Sequence, residues 1–257
     1  MIQKEGRYIY CVIASSQERS FGPIGIGERG DDVSTIGYDD ISMVVSSHPL
    51  SKLTVNSENM LTHERVIEAV MKEFDGVLPV RFGTIASNAD EIRNLLSKRY
   101  REFKSALRDV DHKVELGVKG IWNNMPAIFK EIVDENKAIE LLKKKLLKDN
   151  SKKNIQAKNE IGKMVERALE KKKDKEAEGI VEALRRTAFD HKLNKTVGDE
   201  MFMNAAFLVD KGREKEFDNI MCDLGEQHGR RVKFMYTGPL PVFNFVNIVI
   251  YPEEWEK

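Results

Sequence analysis

The chain has 257 residues, with 42 basic and 42 acidic side chains, 41% apolar residues and 33% charged residues. This length predicts two domains, because single hydrophobic cores stop growing near about 250 residues. The balanced charge argues against a nucleic-acid binder that works by bulk attraction for phosphate, and we expect no nucleic-acid partner.

The N-terminus and the hydropathy pattern predict neither export nor a membrane span. Residues 1–7 lack the apolar core of a signal peptide. Apolar runs fall short of the roughly 18 residues that a membrane helix needs. We therefore expect a cytoplasmic protein with no membrane partner.

The cysteine and histidine patterns predict no metal, no cofactor and no disulfide framework. Cys11 and Cys222 lie far apart and have no CxxC neighbour. Each lies in an apolar run, so both are interpreted as small buried hydrophobes. The histidines match no metal-ligand spacing such as HxH or HExxH.

The first 50 residues carry strand patterns. Residues 7–14 are rich in β-branched and aromatic side chains, which are typical of a strand. Residues 33–36 and 41–46 are apolar runs separated by a turn-rich spacer, which predicts a hairpin. The Gly-rich segment 21–30 lacks both GK[ST] and GxGxxG, so we interpret it as a surface loop rather than a phosphate site.

Two helices are predicted next, with a short strand and turn at 77–84 between them. Asn56 or Ser57 can cap the first helix, which runs to about residue 74. Ser87 or Asn88 opens the second helix. The expected inward face of the first helix is Met60, His63, Val66, Ile67 and Val70. Strands and helices interleave without strict βαβ spacing, which favours an α+β fold.

The second part of the chain predicts a ferredoxin-like domain that contains an inserted long helical hairpin. The expected elements are a strand at 112–122, a charged helical segment at about 125–192, a strand at 202–210, a helix at 212–229 and a strand at 231–237. The predicted domains are therefore 1–109 and 110–257.

The charged helical segment has one narrow apolar seam near a heptad period, which includes Leu142 and Leu146. Residues 149–151 are expected to break the helix. A narrow seam has two interpretations. The returning helix can cover it, which gives a self-contained hairpin, or a partner can bind it.

Four polar residues form the strongest candidate constellation: His63, Arg81, Glu115 and Lys119. Arg81 and Glu115 lie in apolar or strand-like runs, so a buried or half-buried ion pair between the two domains is one interpretation. The same four residues also offer a base, a carboxylate and cations that bind an anion, which are groups that acid–base catalysis uses. Partner contact is a third possibility.

Several segments in order resemble the gas vesicle protein F and L family. They are Leu-Thr-His-Glu-Arg-Val at 61–66, Val-Leu-Pro-Val-Arg-Phe-Gly-Thr at 77–84, Glu-Leu-Gly-Val-Lys at 115–119, and 203–209. Residues 236–246, which include Tyr236, Gly238 and Pro239, are similar to the family's closing Thr-Gly-Pro motif. Leu240 and Val242 stand where the family commonly has Trp and Pro. We interpret this tail as a rigid turn, with partner binding as the alternative.

The resemblance implies a non-enzymatic accessory or minor structural protein of gas vesicle assembly, located in the cytoplasm and at the gas vesicle. Its implied partners are the small apolar shell protein and other gas vesicle accessory proteins. The alternative from a different class is an enzyme or small-ligand binder on a ferredoxin-like sheet, using His63, Arg81 and Glu115. The amino-acid sequence does not determine the oligomeric state.

Overall fold

The computed structural model describes residues 4–27, 29–51, 53–148 and 154–250. The chain forms two compact units, each of mixed helix and sheet. Unit 1 comprises 1–115, 210–212 and 239–257, and unit 2 comprises 116–209 and 213–238. The sequence pattern predicts a division between 109 and 110 and assigns the whole C-terminal segment to the second domain.

Unit 1 contains an antiparallel sheet in which Tyr8–Ile13 are fully buried. Its strands are β1 (Glu5–Ile13), β2 (Ser20–Gly22), β3 (Val33–Tyr38), β4 (Ile41–Pro49), β5 (Val77–Pro79) and β6 (Ile85–Ala86). Their order is β2-β3-β4-β1-β5, and β6 also pairs with β1. The predicted hairpin is confirmed as β3 and β4. Asp39 sits in its turn at φ 56°, a backbone conformation that Asp tolerates better than most residues.

In the part of unit 1 that the structure describes, three α-helices accompany this sheet: α1 (Ser57–Met71), α2 (Ala89–Lys98) and α3 (Tyr100–Val110). The predicted caps are confirmed, because Asn56 and Asn88 accept hydrogen bonds from first-turn amides. The predicted single helix after Asn88 is instead two, which meet at Arg99. Its apolar face continues across the junction without a Gly or Pro, so the periodicity alone could not locate the break.

The core of unit 1 lies between the sheet and α1. Tyr8, Tyr10, Val44, Ile67 and Val70 are among its fully buried members. The Gly-rich segment also reaches this core, which corrects the purely surface interpretation. Ile26 is buried, and its amide donates to the Tyr10 hydroxyl at 2.7 Å.

The C-terminal segment is tied to unit 1 by a turn and a strand contact. Phe245 and Val246 donate their amides to the Val242 carbonyl at 3.0 Å. Farther on, Ile248 forms a parallel bridge to Val80. The predicted turn therefore lies after Leu240, and the preceding strand is longer than expected.

The described residues of unit 2 form a four-stranded sheet and four α-helices. The elements are β7 (Lys113–Trp122), α4 (Met125–Glu135), α5 (Lys137–Lys148), α6 (Asn154–Leu184), β8 (Ala188–Leu193), β9 (Met201–Asp210), α7 (Glu214–His228) and β10 (Val232–Leu240). The strand order is β10-β7-β9-β8.

Strand β8 is absent from the sequence prediction, which assigned 188–192 to the helical segment. The helical part ends earlier, at Leu184, where the Leu184 carbonyl accepts the Thr187 hydroxyl at 2.9 Å. An edge strand contacts one neighbour only and can keep polar side chains. The strand is therefore not visible in the sequence pattern, because it lies within a charged run that includes Asp190, His191 and Lys192.

The helical seam lies on α5, which packs against α6. Ile139 is buried, and Leu142 and Leu146 are half-buried. This contact supports coverage of the seam by the returning helix, while partner binding to the seam stays a prediction. The predicted break at 149–151 lies outside the described residues.

One cysteine interpretation is wrong. Cys11 is buried in β1, but Cys222 is exposed. Helix α7 buries Phe217, Met221 and Leu224, whose spacing of four and three defines its inward face. Cys222 follows Met221 by one position, and a step of about 100° moves its side chain off that face.

Candidate functional site

An apolar groove of about 600 Å³ lies on unit 1. We call it the α1 groove. Its lining residues are Ser57, Met60, Leu61, His63, Glu64, Arg81, Phe82 and Phe243. They come from α1, from the segment after β5 and from the C-terminal turn.

Helix α1 supplies one wall of the groove, because Met60 and Leu61 lie off its inward face and line the groove. The inward face is His63, Val66, Ile67 and Val70. Met60 and Leu61 are 52% and 50% exposed, which corrects the prediction that Met60 points inward. Phe243 is 41% exposed. Exposed apolar side chains gathered around one concavity mark an interaction site more often than scattered ones do.

His63 forms the floor of the groove and is 3% exposed. Its Nε2 lies 3.2 Å from the Val80 carbonyl oxygen, which can only accept, so Nε2 carries the proton. Its Nδ1 therefore accepts from the Tyr8 hydroxyl at 2.9 Å. The Tyr8 oxygen in turn accepts the Gly83 amide at 3.1 Å. This chain of donors fixes one neutral tautomer.

Burial lowers the pKa of His63 to about 4. The imidazole is thus uncharged near neutral pH, and both ring nitrogens are engaged in hydrogen bonds. Because a general base needs a lone pair that faces its substrate, His63 does not supply the base that the catalytic interpretation required.

Aromatic rings surround His63 and complete the floor. Tyr10 stacks on the imidazole at 5.6 Å between ring centroids, and Phe82 meets it edge-on at 5.6 Å. Phe243 lies 6.2 Å away with its ring tilted by 33°. Such packing holds ring orientations and presents an apolar, uncharged surface to the groove.

Phe243 is positioned by Glu115, which is 3% exposed. The Glu115 carboxylate accepts the Asn244 backbone amide at 2.8 Å and the Asn244 side-chain amide at 2.5 Å. These bonds fix the turn that carries Phe243. Glu115 therefore acts on the groove through Asn244 and does not line it.

Replacing Glu115 by alanine is expected to destabilise the fold by roughly 1.5–3 kcal/mol, because hydrogen bonds to a buried charged acceptor are lost. Chemical denaturation of Glu115→Ala and wild type measures this change. The matched control is Glu73→Ala, which removes an exposed carboxylate of the same unit. It should change stability by no more than about 0.5 kcal/mol. Equal effects of the two variants would contradict the role of Glu115.

The predicted buried ion pair between Arg81 and Glu115 is wrong. Arg81 is exposed at the rim of the groove, whereas Glu115 is buried against Asn244. The apolar neighbours Val80 and Phe82 suggested burial, but β5 ends at Pro79 and strand alternation ends with it. Exposure of Arg81 makes it available to a partner.

Glu64 is the second charged group at the groove. Burial, and then the neighbouring charge of Glu68, raises the pKa of its carboxyl group. With Arg81 it gives the rim one acidic and one basic side chain. The walls and floor between them are apolar.

The remaining candidate residues lie elsewhere. Lys119 is exposed on β7 within unit 2. The Tyr236 hydroxyl donates to Asp218 at 2.6 Å, and its ring stacks on Phe217. Gly238 has φ 142°, which favours glycine, and Pro239 is exposed. These three tail positions belong to strand β10 and not to a turn.

Among the described helices, none combines the length and apolar character that crossing a membrane requires. The described residues also contain no group of three or more His, Cys, Asp or Glu side chains arranged to hold a metal ion.

A family model described as gas vesicle synthesis protein GvpL/GvpF matches residues 6–247. The chain belongs to the GvpL/GvpF family. Gas vesicle protein F of Haloferax mediterranei is 24% identical over 247 residues, which are 95% of this chain and 94% of that protein. Gas vesicle protein F of a Streptomyces species is 25% identical over 240 residues, covering 93% and 98% of the two chains.

Solved GvpF structures share this mixed helix-and-sheet fold. The crystal structure of GvpF from an Anabaena species matches with a TM-score of 0.81 and 20% identity, covering 96% of this chain and all of that chain (100%). GvpF from Microcystis aeruginosa matches with a TM-score of 0.78 and 21% identity, covering 95% and 99%. GvpL/GvpF membership confirms the sequence resemblance.

Proposed function

We propose that this GvpL/GvpF protein is a non-enzymatic accessory or minor structural component of gas vesicle assembly. It acts in the cytoplasm and at the gas vesicle, and the small apolar shell protein occupies its α1 groove. Other gas vesicle accessory proteins are further partners. The observation that carries the proposal is the apolar groove itself, in which Met60, Leu61 and Phe243 remain half-exposed around an uncharged floor.

The chemistry of the groove suits an apolar polypeptide segment. Covering half-exposed side chains removes apolar area from water, at about 25 cal/mol per Å². The neutral His63 floor avoids the desolvation penalty that a buried charge would impose. Arg81 and Glu64 at the rim stay partly solvated and can orient the bound segment. An amphipathic helix laid in a groove is one established mode of such recognition.

The same features speak against the enzyme alternative. A catalytic pocket places a few polar groups so that they converge on a substrate. In the α1 groove, His63 directs both ring nitrogens to protein partners, and Glu115, which does not line the groove, binds Asn244. Among the described residues that line the groove, Arg81 is the one exposed cation, which fits partner contact better than acid–base chemistry.

For unit 2 we propose the ferredoxin-like arrangement with an enlarged first helical connection. Its strands occur along the chain as β7, β8, β9 and β10, with helices after the first and third. The sheet order, β10-β7-β9-β8, supports the proposal because it brings the first and third strands together at the centre.

Deletion of this protein from a vesicle-forming host that lacks a paralogue is expected to abolish or sharply reduce gas vesicles, with unchanged growth in aerated culture. Buoyancy and electron microscopy measure the loss, and expression of the intact chain in the deletion strain is the control that should restore it. Normal buoyancy and vesicle number in the deletion strain would contradict the proposed function.

A further inference from the structure

Strand β8 is an edge of the unit 2 sheet, since it follows β9 at the end of the strand order. It carries two large apolar side chains on the surface: Phe189 is 75% exposed and Leu193 is 62% exposed. An edge strand that exposes large apolar side chains can pair with another strand.

The outward-facing amides of β8 can be assigned from its hydrogen bonds. The amide of Asn194, the residue after the strand, donates to the Asn204 carbonyl of β9 at 2.7 Å. Successive amides of a strand point to opposite sides, so those of His191 and Leu193 point away from β9. In agreement, the His191 amide donates to the Asp190 carboxylate at 2.8 Å. A side chain thus occupies the position that a neighbouring strand would take.

Residues 189–193 have the sequence Phe-Asp-His-Lys-Leu, which is self-complementary when read in opposite directions. An antiparallel copy centred on His191 brings Phe189, the bulged residue before the regular ladder of 190–193, next to Leu193 of the second copy. It also places Asp190 opposite Lys192, and does so twice because the arrangement is two-fold symmetric. Apolar pairs and opposite charges directly across a strand pair are both stabilising.

We propose that β8 is a self-association surface, through which a second copy of this chain pairs antiparallel about His191. The two outward His191 backbones form the central hydrogen-bonded pair, as the amide direction requires. The Asp190 carboxylate exchanges its hydrogen bond from the His191 amide for an ion pair with Lys192 of the second copy. The result is an isologous two-fold interface that joins two four-stranded sheets into one.

Charge reversal tests this pairing directly. Asp190→Lys places two lysines opposite each other at both ends of the interface, and Lys192→Asp does the same with two aspartates. Sedimentation velocity of the full chain over a concentration series is expected to show a dimer for wild type and a monomer for each variant. Asp199→Lys, the same charge change at an exposed loop residue, is the control and should remain dimeric.

Mixing the two monomeric variants is the decisive experiment. The Asp190→Lys chain has lysine at 190 and 192, and these face aspartate at both positions of the Lys192→Asp chain. A heterodimer in the mixture is the expected result, and circular dichroism of each variant verifies folding. A monomeric wild type at every concentration would overturn the proposal. Retained dimers in both variants, or a mixture that stays monomeric, would overturn it as well.

Discussion

Simultaneous replacement of Met60, Leu61 and Phe243 by aspartate is expected to reduce capture of the shell protein by at least about 100-fold. Loss of a single apolar anchor at a binding hot spot costs about 2 kcal/mol or more. All three side chains are half-exposed, so the fold does not depend on them as it depends on buried residues. Co-purification of tagged variant and wild type from cells that express the shell protein measures the loss.

The matched control places the same three charges on exposed apolar residues away from the groove, namely Leu141, Met235 and Val197. This control variant should capture the shell protein as wild type does. Denaturation curves of both variants separate lost binding from lost folding. A folded groove variant that retains normal capture would contradict the assignment of the α1 groove.

Stability is expected to fall as the pH decreases from about 6.5 to about 4, because His63 is held neutral in the fold. Its folded pKa of about 4 lies below the ordinary value of 6.5, so the unfolded chain binds the additional proton in this interval. The stabilisation is complete above the unfolded pKa and is lost on acidification. At 1.36 kcal/mol per pKa unit, the contribution of His63 is about 3 kcal/mol.

Urea denaturation at several pH values between 7 and 4 measures this dependence, and His63→Gln isolates it. Glutamine keeps an acceptor and a donor but does not titrate, so the variant should lack the His63 share of the acid destabilisation. The carboxyl groups of the chain are the same in both proteins, so their contribution to the acid destabilisation cancels in the comparison. Parallel pH profiles of the two proteins would show that His63 is not buried as described.

Local chemistry made much of unit 1 predictable. Asn56 and Asn88 cap helices because their side chains satisfy amides within three residues, and such signals are visible in any short window. Strand β1 and the hairpin of β3 and β4 follow from β-branched composition and turn residues. These features depend on neighbours in the chain and not on distant contacts.

The groove depends on contacts that a local pattern does not encode. Glu115 and Asn244 are 129 positions apart, yet their hydrogen bonds set the place of Phe243. Met60 has helical spacing to the core face but lies at the solvent side of α1. The resemblance segments at 61–66 and 77–84 did contain Leu61, His63, Arg81 and Phe82, although they did not distinguish the groove from an ion pair. Only the assembled unit makes that distinction.

Strand β8 illustrates the same limit in unit 2. Charged residues and a preceding helix made 188–192 typical of a continued helix by composition. Its pairing with β9 decides otherwise, because the backbone of β9 offers hydrogen-bond partners whatever the side chains of an edge strand are. A tertiary contact therefore overrode the local preference.

The most direct test of the α1 groove as the shell-protein site is site-specific photo-cross-linking in vesicle-forming cells. A photoreactive phenylalanine analogue at Leu61 is compared with the same analogue at Leu141, which is exposed on α5. We expect an adduct one shell protein heavier from position 61 and none from position 141. An adduct from position 141 alone would contradict it and would place the shell protein on the helical segment instead.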